Sequence, residues 1–138
     1  MTLVIGEVTH MLTHLPNNKI ILDTDIGDDI DDSFALLLML ESHKFNVLGV
    51  TTVFRNTEKR AKMAKQLIRS LGYDHEVYAG CNVPLISRID DLIPPEIRKK
   101  EVLDEKGLYL IPQWEESMKD ETIGEKHAVD FIIEQVHK

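Results

Sequence analysis

One stretch of the chain, from Lys19 to Leu40, joins two apolar segments through a dense run of acids. Ile20 to Leu22 has the composition of a buried strand, and Phe34 to Leu40 has that of an apolar helix. The segment between them carries six aspartates: Asp23, Asp25, Asp28, Asp29, Asp31 and Asp32. No lysine or arginine occurs from Ile20 to His43, so nothing within the stretch offsets these negative charges.

Six carboxylates at a strand-to-helix junction need compensation. Like charges this close repel each other, and the apolar flanks draw them toward a low-dielectric region where ionised carboxylates are costly. A bound cation resolves both costs. A site made only of carboxylate oxygens suits a hard ion, and Ca²⁺ is favoured because it tolerates irregular geometry. Helix capping by a pair such as Asp29 and Asp32 is the simpler explanation, but capping needs only one or two of the six acids.

The remaining pattern predicts an α/β fold, a Rossmann-like parallel sheet with flanking helices. The predicted elements after the acids are a helix to about Ser42, a strand over Phe45–Phe54, a helix over Thr57–Leu71, a strand over His75–Ala79 and a last helix within Gly124–Lys138. We expect the basic residues of the Thr57 helix to form a solvated face. Ligands of parallel sheets bind beyond the carboxyl ends of the strands, which places Asp23, Asp25 and Asn56 at one edge.

Two segments have no clear pattern. Met1 to Asn18 turns at Pro16, and we treat residues 1–18 as a leader of unknown structure. Ser87 to about Thr122 is broken by prolines and alternating charges. We therefore expect one α/β domain over residues 19–138.

Composition limits the partners and the compartment. The 138-residue chain has a formal net charge of -8, which argues against nucleic acid or an anionic membrane as a partner. Cys81 is the only cysteine, so no internal disulfide can form. Met1 to Lys19 lacks the basic start and apolar centre of a secretory signal, and we expect a cytoplasmic protein.

The order of these features resembles the inosine-uridine-preferring nucleoside hydrolase family. The matching segments are Ile21–Gly27, Asp31–Leu36, Leu48–Val53 with Asn56, and Val77–Gly80 with Pro84 and Leu85. The commoner family signature has proline in place of Ile26 and a single residue between the glycine and the acid pair. Aligning on Asp31 and Asp32 gives this chain a loop two residues longer, whereas aligning on Gly27 makes Asp29 the first acid of the pair.

The resemblance implies a calcium-dependent enzyme of purine and pyrimidine salvage that cleaves ribonucleosides to ribose and free base. It implies Asp25 as catalytic base and metal ligand, Asp32 as a second metal ligand, and Asp31 as the acid that binds a ribose hydroxyl. Asp23 would be a supporting acid, and Asp29 is a further metal candidate that competes with Asp31 for the sugar-binding role. Asn56 either binds a sugar hydroxyl or caps the following helix, and the two roles are compatible.

The resemblance covers most of these residues but only the first half, or less, of a full family member. We therefore expect the fold to be truncated and the 138-residue chain to be a poor hydrolase or inactive. Two other functions stay open. Asp23-x-Asp25 after a strand also resembles a metal-dependent phosphatase with Asp23 as nucleophile, and an inactive remnant that binds or dimerises is the third hypothesis. An exposed sheet edge favours a homo-oligomer.

Overall fold

The structure, a computed structural model, describes residues 18–85 and 109–138, together with Glu96. Its elements in chain order are β1 (Lys19–Thr24), α1 (Asp31–Glu41), β2 (Asn46–Thr52), α2 (Thr57–Ser70), β3 (Val77–Ala79), a 3-10 helix (Glu116–Asp120) and α3 (Ala128–Val136). The predicted leader, as far as residue 17, lies outside the described residues. Most of the segment without a clear pattern, residues 86–95 and 97–108, lies outside them as well.

The three strands form one parallel sheet in the order β1-β2-β3. Its central strand, β2, buries Val50, Thr51 and Thr52 completely, as expected for a β-branched run covered on both faces. Because α1 joins β1 to β2 and α2 joins β2 to β3, each crossover is a helix, as parallel pairing requires. The predicted parallel α/β fold is confirmed.

Most predicted bounds differ from the observed ones by a few residues. β2 ends at Thr52 rather than Phe54, because Phe54 has φ +68°, a left-handed conformation that cannot continue a strand. α2 ends at Ser70, and Gly72 follows it with φ +83°, the conformation that commonly terminates a helix.

The hydrophobic core lies between the sheet and the two crossover helices. Its buried members are Ile26, Leu36, Met39, Leu40, Val50, Ala61, Ala64, Ile68 and Val77. The last helix, α3, packs beside the sheet through buried Ala128 and Phe131, and the Phe131 ring stacks on Tyr78 with centroids 4.1 Å apart. In the part of the chain that the structure describes, no helix has the length and apolar character needed to cross a bilayer.

The prediction that the basic residues of α2 form a solvated face is wrong for two of them. Arg60 is fully buried and Lys65 is 6% exposed. Lys65 Nζ donates to Asp74 Oδ1 at 2.8 Å and to the carbonyl oxygen of His75 at 2.9 Å. A buried ammonium is tolerated when it is paired and hydrogen-bonded in this way.

Candidate active site at the carboxyl end of the sheet

The six aspartates surround the carboxyl end of β1. Asp23 is the last residue but one of the strand, residues 25–30 form a loop that we call the acid loop, and Asp31 opens α1. Asp28 and Asp32 are half-buried, and the other four acids are exposed. The expectation that the apolar flanks desolvate these carboxylates is therefore wrong for the four exposed acids, because the acid loop runs over the surface.

Three of the acids converge. Asp29, Asp31 and Asp32 each offer a carboxylate oxygen, and these oxygens lie within 4.8 Å of one another. Ca²⁺ keeps its oxygen ligands at about 2.3–2.6 Å, so two ligands of one ion can be at most about 5 Å apart. The spacing and the all-oxygen donor set therefore fit a hard cation, although exposed acids also cluster without one.

Contacts within the cluster separate the pKa values of its members. The hydrogen bond between Asp29 and Asp31 raises the pKa of Asp29 above its ordinary value of 3.8 and lowers that of Asp31. Burial raises the pKa of Asp32, a hydrogen bond with the Thr24 hydroxyl opposes that rise, and the nearby Asp25 charge adds to it. The Asp25 carboxylate thus adjoins the cluster through Asp32, where a cation would relieve the mutual repulsion.

Helix capping does not account for the acids. The N-cap position of α1 is Ile30, and no side chain makes a cap hydrogen bond there. Asp31 and Asp32 instead occupy the first turn, where negative charge interacts favourably with the helix dipole. The alternative in which Asp29 and Asp32 form a capping pair is therefore wrong.

Two threonines at the strand ends orient the site, and the sequence analysis missed both. The Thr51 hydroxyl donates to Asp23 Oδ1 at 2.6 Å, across the pairing of β1 with β2. Thr24 Oγ1 accepts a hydrogen bond from the Ile26 amide at 3.1 Å and so shapes the start of the acid loop. The sequence feature that could have indicated them is the presence of hydroxyl residues at the ends of two adjacent predicted strands.

A cation from elsewhere in the chain also reaches the acid loop. Arg60 Nη2 donates to Asp28 Oδ2 at 2.9 Å, so Asp28 is ion-paired within the protein. The absence of basic residues from Ile20 to His43 therefore did not mean that all six acids lack a protein partner. Sequence reasoning missed this pair because Arg60 lies 32 residues after Asp28 and was assigned to a solvated face.

Asn56 lies where the loop after β2 enters α2, and it caps that helix. Its Oδ1 accepts a hydrogen bond from the Lys59 amide at 3.3 Å, and the residue is 9% exposed. Its capping role is thus observed, while its sugar-binding role stays a prediction. The preceding Arg55 places its guanidinium over the rings of Phe54 and Tyr109, at 4.7 Å and 4.6 Å from their centroids.

The predicted site residues therefore divide into two groups. Asp29, Asp31 and Asp32 form one cluster that Asp25 adjoins, and Asp23 lies near the end of β1, where it accepts a hydrogen bond from Thr51 of β2. Asn56 is the N-cap of α2. The buried Arg60 side chain connects the loop after β2, which leads to Asn56, with the acid loop. This arrangement can bind a cation and present carboxylates to a polar ligand at the edge where parallel sheets bind their substrates.

The chain is similar in sequence to known proteins. The family model of the inosine-uridine preferring nucleoside hydrolases matches residues 20–138. Uridine nucleosidase 1 of Arabidopsis thaliana is 36% identical over 113 residues, which covers 65% of this chain and 33% of that protein. An uncharacterised protein of Schizosaccharomyces pombe is 36% identical over 119 residues, which covers 84% of this chain and 34% of that protein. The chain spans about one third of the length of these curated relatives. It belongs to the inosine-uridine preferring nucleoside hydrolase family.

Proposed function

We propose that this chain carries the metal-binding and sugar-binding acids of a nucleoside hydrolase that cleaves the N-glycosidic bond of ribonucleosides to give ribose and free base. The observation that carries the proposal is the convergence of Asp29, Asp31 and Asp32 at the carboxyl end of β1, in a chain of this family. The name of the Arabidopsis relative, a uridine nucleosidase, supports a ribonucleoside substrate.

The proposed metal is Ca²⁺, held by Asp25, Asp29 and Asp32. Their oxygens satisfy its preference for hard ligands, and Asp25 and Asp32 lie close enough for the charge of one to raise the pKa of the other. When bound, such an ion would lower the pKa of an adjacent water molecule and make it a better nucleophile.

The proposed roles of the protein's own residues are proton transfer from the attacking water and binding of the sugar. Asp25 is the proposed base that takes the proton of the attacking water, because it borders the cluster and its side chain is exposed. Asp31, or Asp29 in its place, accepts a hydrogen bond from a ribose hydroxyl, and the Asn56 amide is the second proposed sugar contact. Asp23 supports the site through Thr51. Carboxylates suit this reaction because cleavage of a glycosidic bond develops positive charge on the sugar.

The wider setting follows from the same proposal. The net charge of -8 disfavours nucleic acids and anionic membranes as partners. The proposed partner is a small ribonucleoside, and the proposed setting is nucleoside salvage in the cytoplasm. We expect a homo-oligomer. The phosphatase alternative gains no support, because the family that matches is a nucleoside hydrolase.

The test is release of ribose from inosine and from uridine, measured as reducing sugar with Ca²⁺ and with a chelator. We expect slow Ca²⁺-dependent release that falls about 100-fold or more in Asp25→Asn, the range typical of a lost general base. Asp120→Asn, which changes an acid of the 3-10 helix outside the proposed set of ligands, is the control. Calorimetric binding of both nucleosides accompanies the assay, so that binding and turnover are measured separately. A chain that neither releases ribose nor binds a nucleoside in the presence of Ca²⁺ would contradict the proposal and favour the inactive remnant.

A further inference from the structure

Arg60 has no exposed surface, and its guanidinium contacts two separate loops. Toward the acid loop, Nη1 donates to the carbonyl oxygen of Ile26 at 2.8 Å and also to that of Asp25, while Nη2 donates to Asp28 Oδ2 at 2.9 Å. Toward the loop after β2, Nε donates to the carbonyl oxygen of Phe54 at 2.9 Å. One buried side chain therefore fastens both loops at the carboxyl edge of the sheet to α2.

Only arginine matches this set of acceptors. Its planar guanidinium carries five N–H donors in a fixed fork, whereas a lysine ammonium is a point charge with three donors at one atom. Burying an ion is costly unless it is paired and hydrogen-bonded, and Asp28 supplies the opposite charge here. The three carbonyl oxygens satisfy further donors, so the charge is buried without leaving the guanidinium unpaired.

The loop after β2 needs such a fastening because its backbone is strained. Phe54 and Arg55 have φ values of +68° and +60°, a left-handed conformation that is unfavourable for residues with a Cβ atom. Strain of this kind persists where surrounding contacts hold it in place. The Arg60 bond to the Phe54 carbonyl oxygen is one such contact, and Asn56 follows directly as the N-cap of α2.

We infer that Arg60 is a positioning residue of the nucleoside site, one that fixes the Asp25 backbone relative to the loop that carries Asn56. This inference rests on the proposed function. Arg60 is not itself a proposed ligand of the ion or of the sugar. It acts by fixing the backbone at Asp25, the proposed base, relative to the loop that carries Asn56, the proposed sugar contact. Its pairing with Asp28 also keeps that carboxylate engaged within the protein, away from the Asp29, Asp31 and Asp32 cluster.

The test compares Arg60→Lys with a matched control in the same helix. Lys65→Gln also removes a buried, ion-paired cation from α2, but Lys65 contacts Asp74 and His75 rather than the acid loop. Ca²⁺ affinity is measured by calorimetry at a temperature where urea titration finds every variant folded. We expect Arg60→Lys to weaken Ca²⁺ binding about tenfold, the loss typical of residues that orient metal ligands. Lys65→Gln should lower the free energy of unfolding and leave the Ca²⁺ affinity unchanged.

A measurement on the wild-type chain covers the case in which Arg60→Lys fails to fold. The Arg60 Nε–H signal in an NMR spectrum should shift when Ca²⁺ is added, because the guanidinium is hydrogen-bonded to both loops that form the proposed site. The same signal of Arg69, whose side chain is 60% exposed, is the control and should not move.

The possible results distinguish a failure of the Arg60 inference from a failure of the proposed function. Three results would overturn the positioning role and leave the proposed function intact. They are equal Ca²⁺ affinity in wild type and Arg60→Lys, equal weakening of Ca²⁺ binding in Arg60→Lys and Lys65→Gln, and an Arg60 Nε–H signal that does not shift when Ca²⁺ is added. A wild-type chain that binds no Ca²⁺ would overturn the proposed function and, with it, this inference.

Discussion

Gly27 is the residue on which the conformation of the acid loop depends most directly. It has φ +120°, a backbone conformation that side chains with a Cβ atom rarely adopt, and it is buried. Its carbonyl oxygen accepts a hydrogen bond from the Gln113 amide at 3.1 Å, which ties the loop to a later segment of the chain. The loop can therefore present its acids only if this position has no side chain.

Replacing Gly27 with alanine should destabilise the fold strongly. The new Cβ would lie 2.4 Å from Ile111 Cγ2 and 3.0 Å from Met63 Cε, so a steric clash adds to the backbone strain. We expect a loss of about 2 kcal/mol or more in the free energy of unfolding. Gly72→Ala is the matched control: Gly72 also has positive φ, but a Cβ there meets nothing within 4 Å, and the expected cost is only about 1 kcal/mol. Equal shifts of the urea midpoint in the two variants would contradict this account of Gly27.

Individual residues also mark the limits of sequence reasoning. The acid motif after the first strand was readable because its residues are neighbours in sequence and carry one charge. Arg60 was not readable, since its partners come from residues 25, 26, 28 and 54 and its place in α2 fits a basic helix face. The exposure of the acids was misjudged for a similar reason, because the path of the acid loop depends on contacts such as Gly27 with Gln113.

At the scale of elements, α2 is anchored at two points along its length by buried cations. Arg60 fastens its first turn to the carboxyl edge of the sheet, and Lys65 fastens its middle to the segment that enters β3. The hydrogen bond from Lys65, together with its charge, holds the pKa of Asp74 below the ordinary value of 3.8. This pair links α2 to the segment that enters β3.

The Lys65–Asp74 pair predicts a pH dependence of stability. Because the folded-state pKa of Asp74 is lowered, its contribution is complete at pH values above 3.8 and is lost as the pH falls through the folded-state pKa. The difference in the free energy of unfolding between wild type and Asp74→Asn should therefore be largest near neutral pH and shrink as the solution is acidified below 3.8. Urea titrations across this pH range measure it. In a Lys65→Gln background the pH dependence of the difference should largely disappear, and a dependence that survives there would refute the pairing.

Elements were more predictable than their ends. Apolar runs and periodicity predicted β1 to β3 and α1 to α3, whereas the 3-10 helix, Glu116–Asp120, lies in a segment without a clear pattern and was not predicted. The ends depend on local backbone conformation, as at Phe54, where positive φ stops β2 two residues early. No repeating pattern of side chains records such a turn.

At the scale of the whole molecule, two helices leave apolar residues exposed. On α1 and the residue before it, Ile30, Phe34 and Leu38 are 61%, 58% and 70% exposed and recur every four residues, forming what we call the α1 stripe. Among the described strands, β1 pairs only with β2. Exposed apolar stripes and open sheet edges favour association, in agreement with the proposed homo-oligomer.

The α1 stripe predicts how the chain self-associates. The double substitution Phe34→Glu and Leu38→Lys should convert an oligomer to a monomer, measured as molar mass by light scattering after size exclusion. Ile133→Glu with Val136→Lys, which alters the exposed residues of α3, is the matched control and should leave the mass unchanged. A wild-type chain that is monomeric at high concentration, or an oligomer that only the α3 variant disrupts, would exclude the α1 stripe as the interface.

The acids at the end of β1 are the proposed Ca²⁺ site, and calorimetric titration with Ca²⁺ at neutral pH is its decisive test. We expect one ion bound per chain, with affinity at least about tenfold weaker in Asp32→Asn, which removes one charged oxygen ligand from the proposed site. Asp120→Asn, which changes an acid of the 3-10 helix outside the proposed set of ligands, should bind as the wild type does. No binding by the wild type, or equal affinity in wild type and Asp32→Asn, would contradict the account.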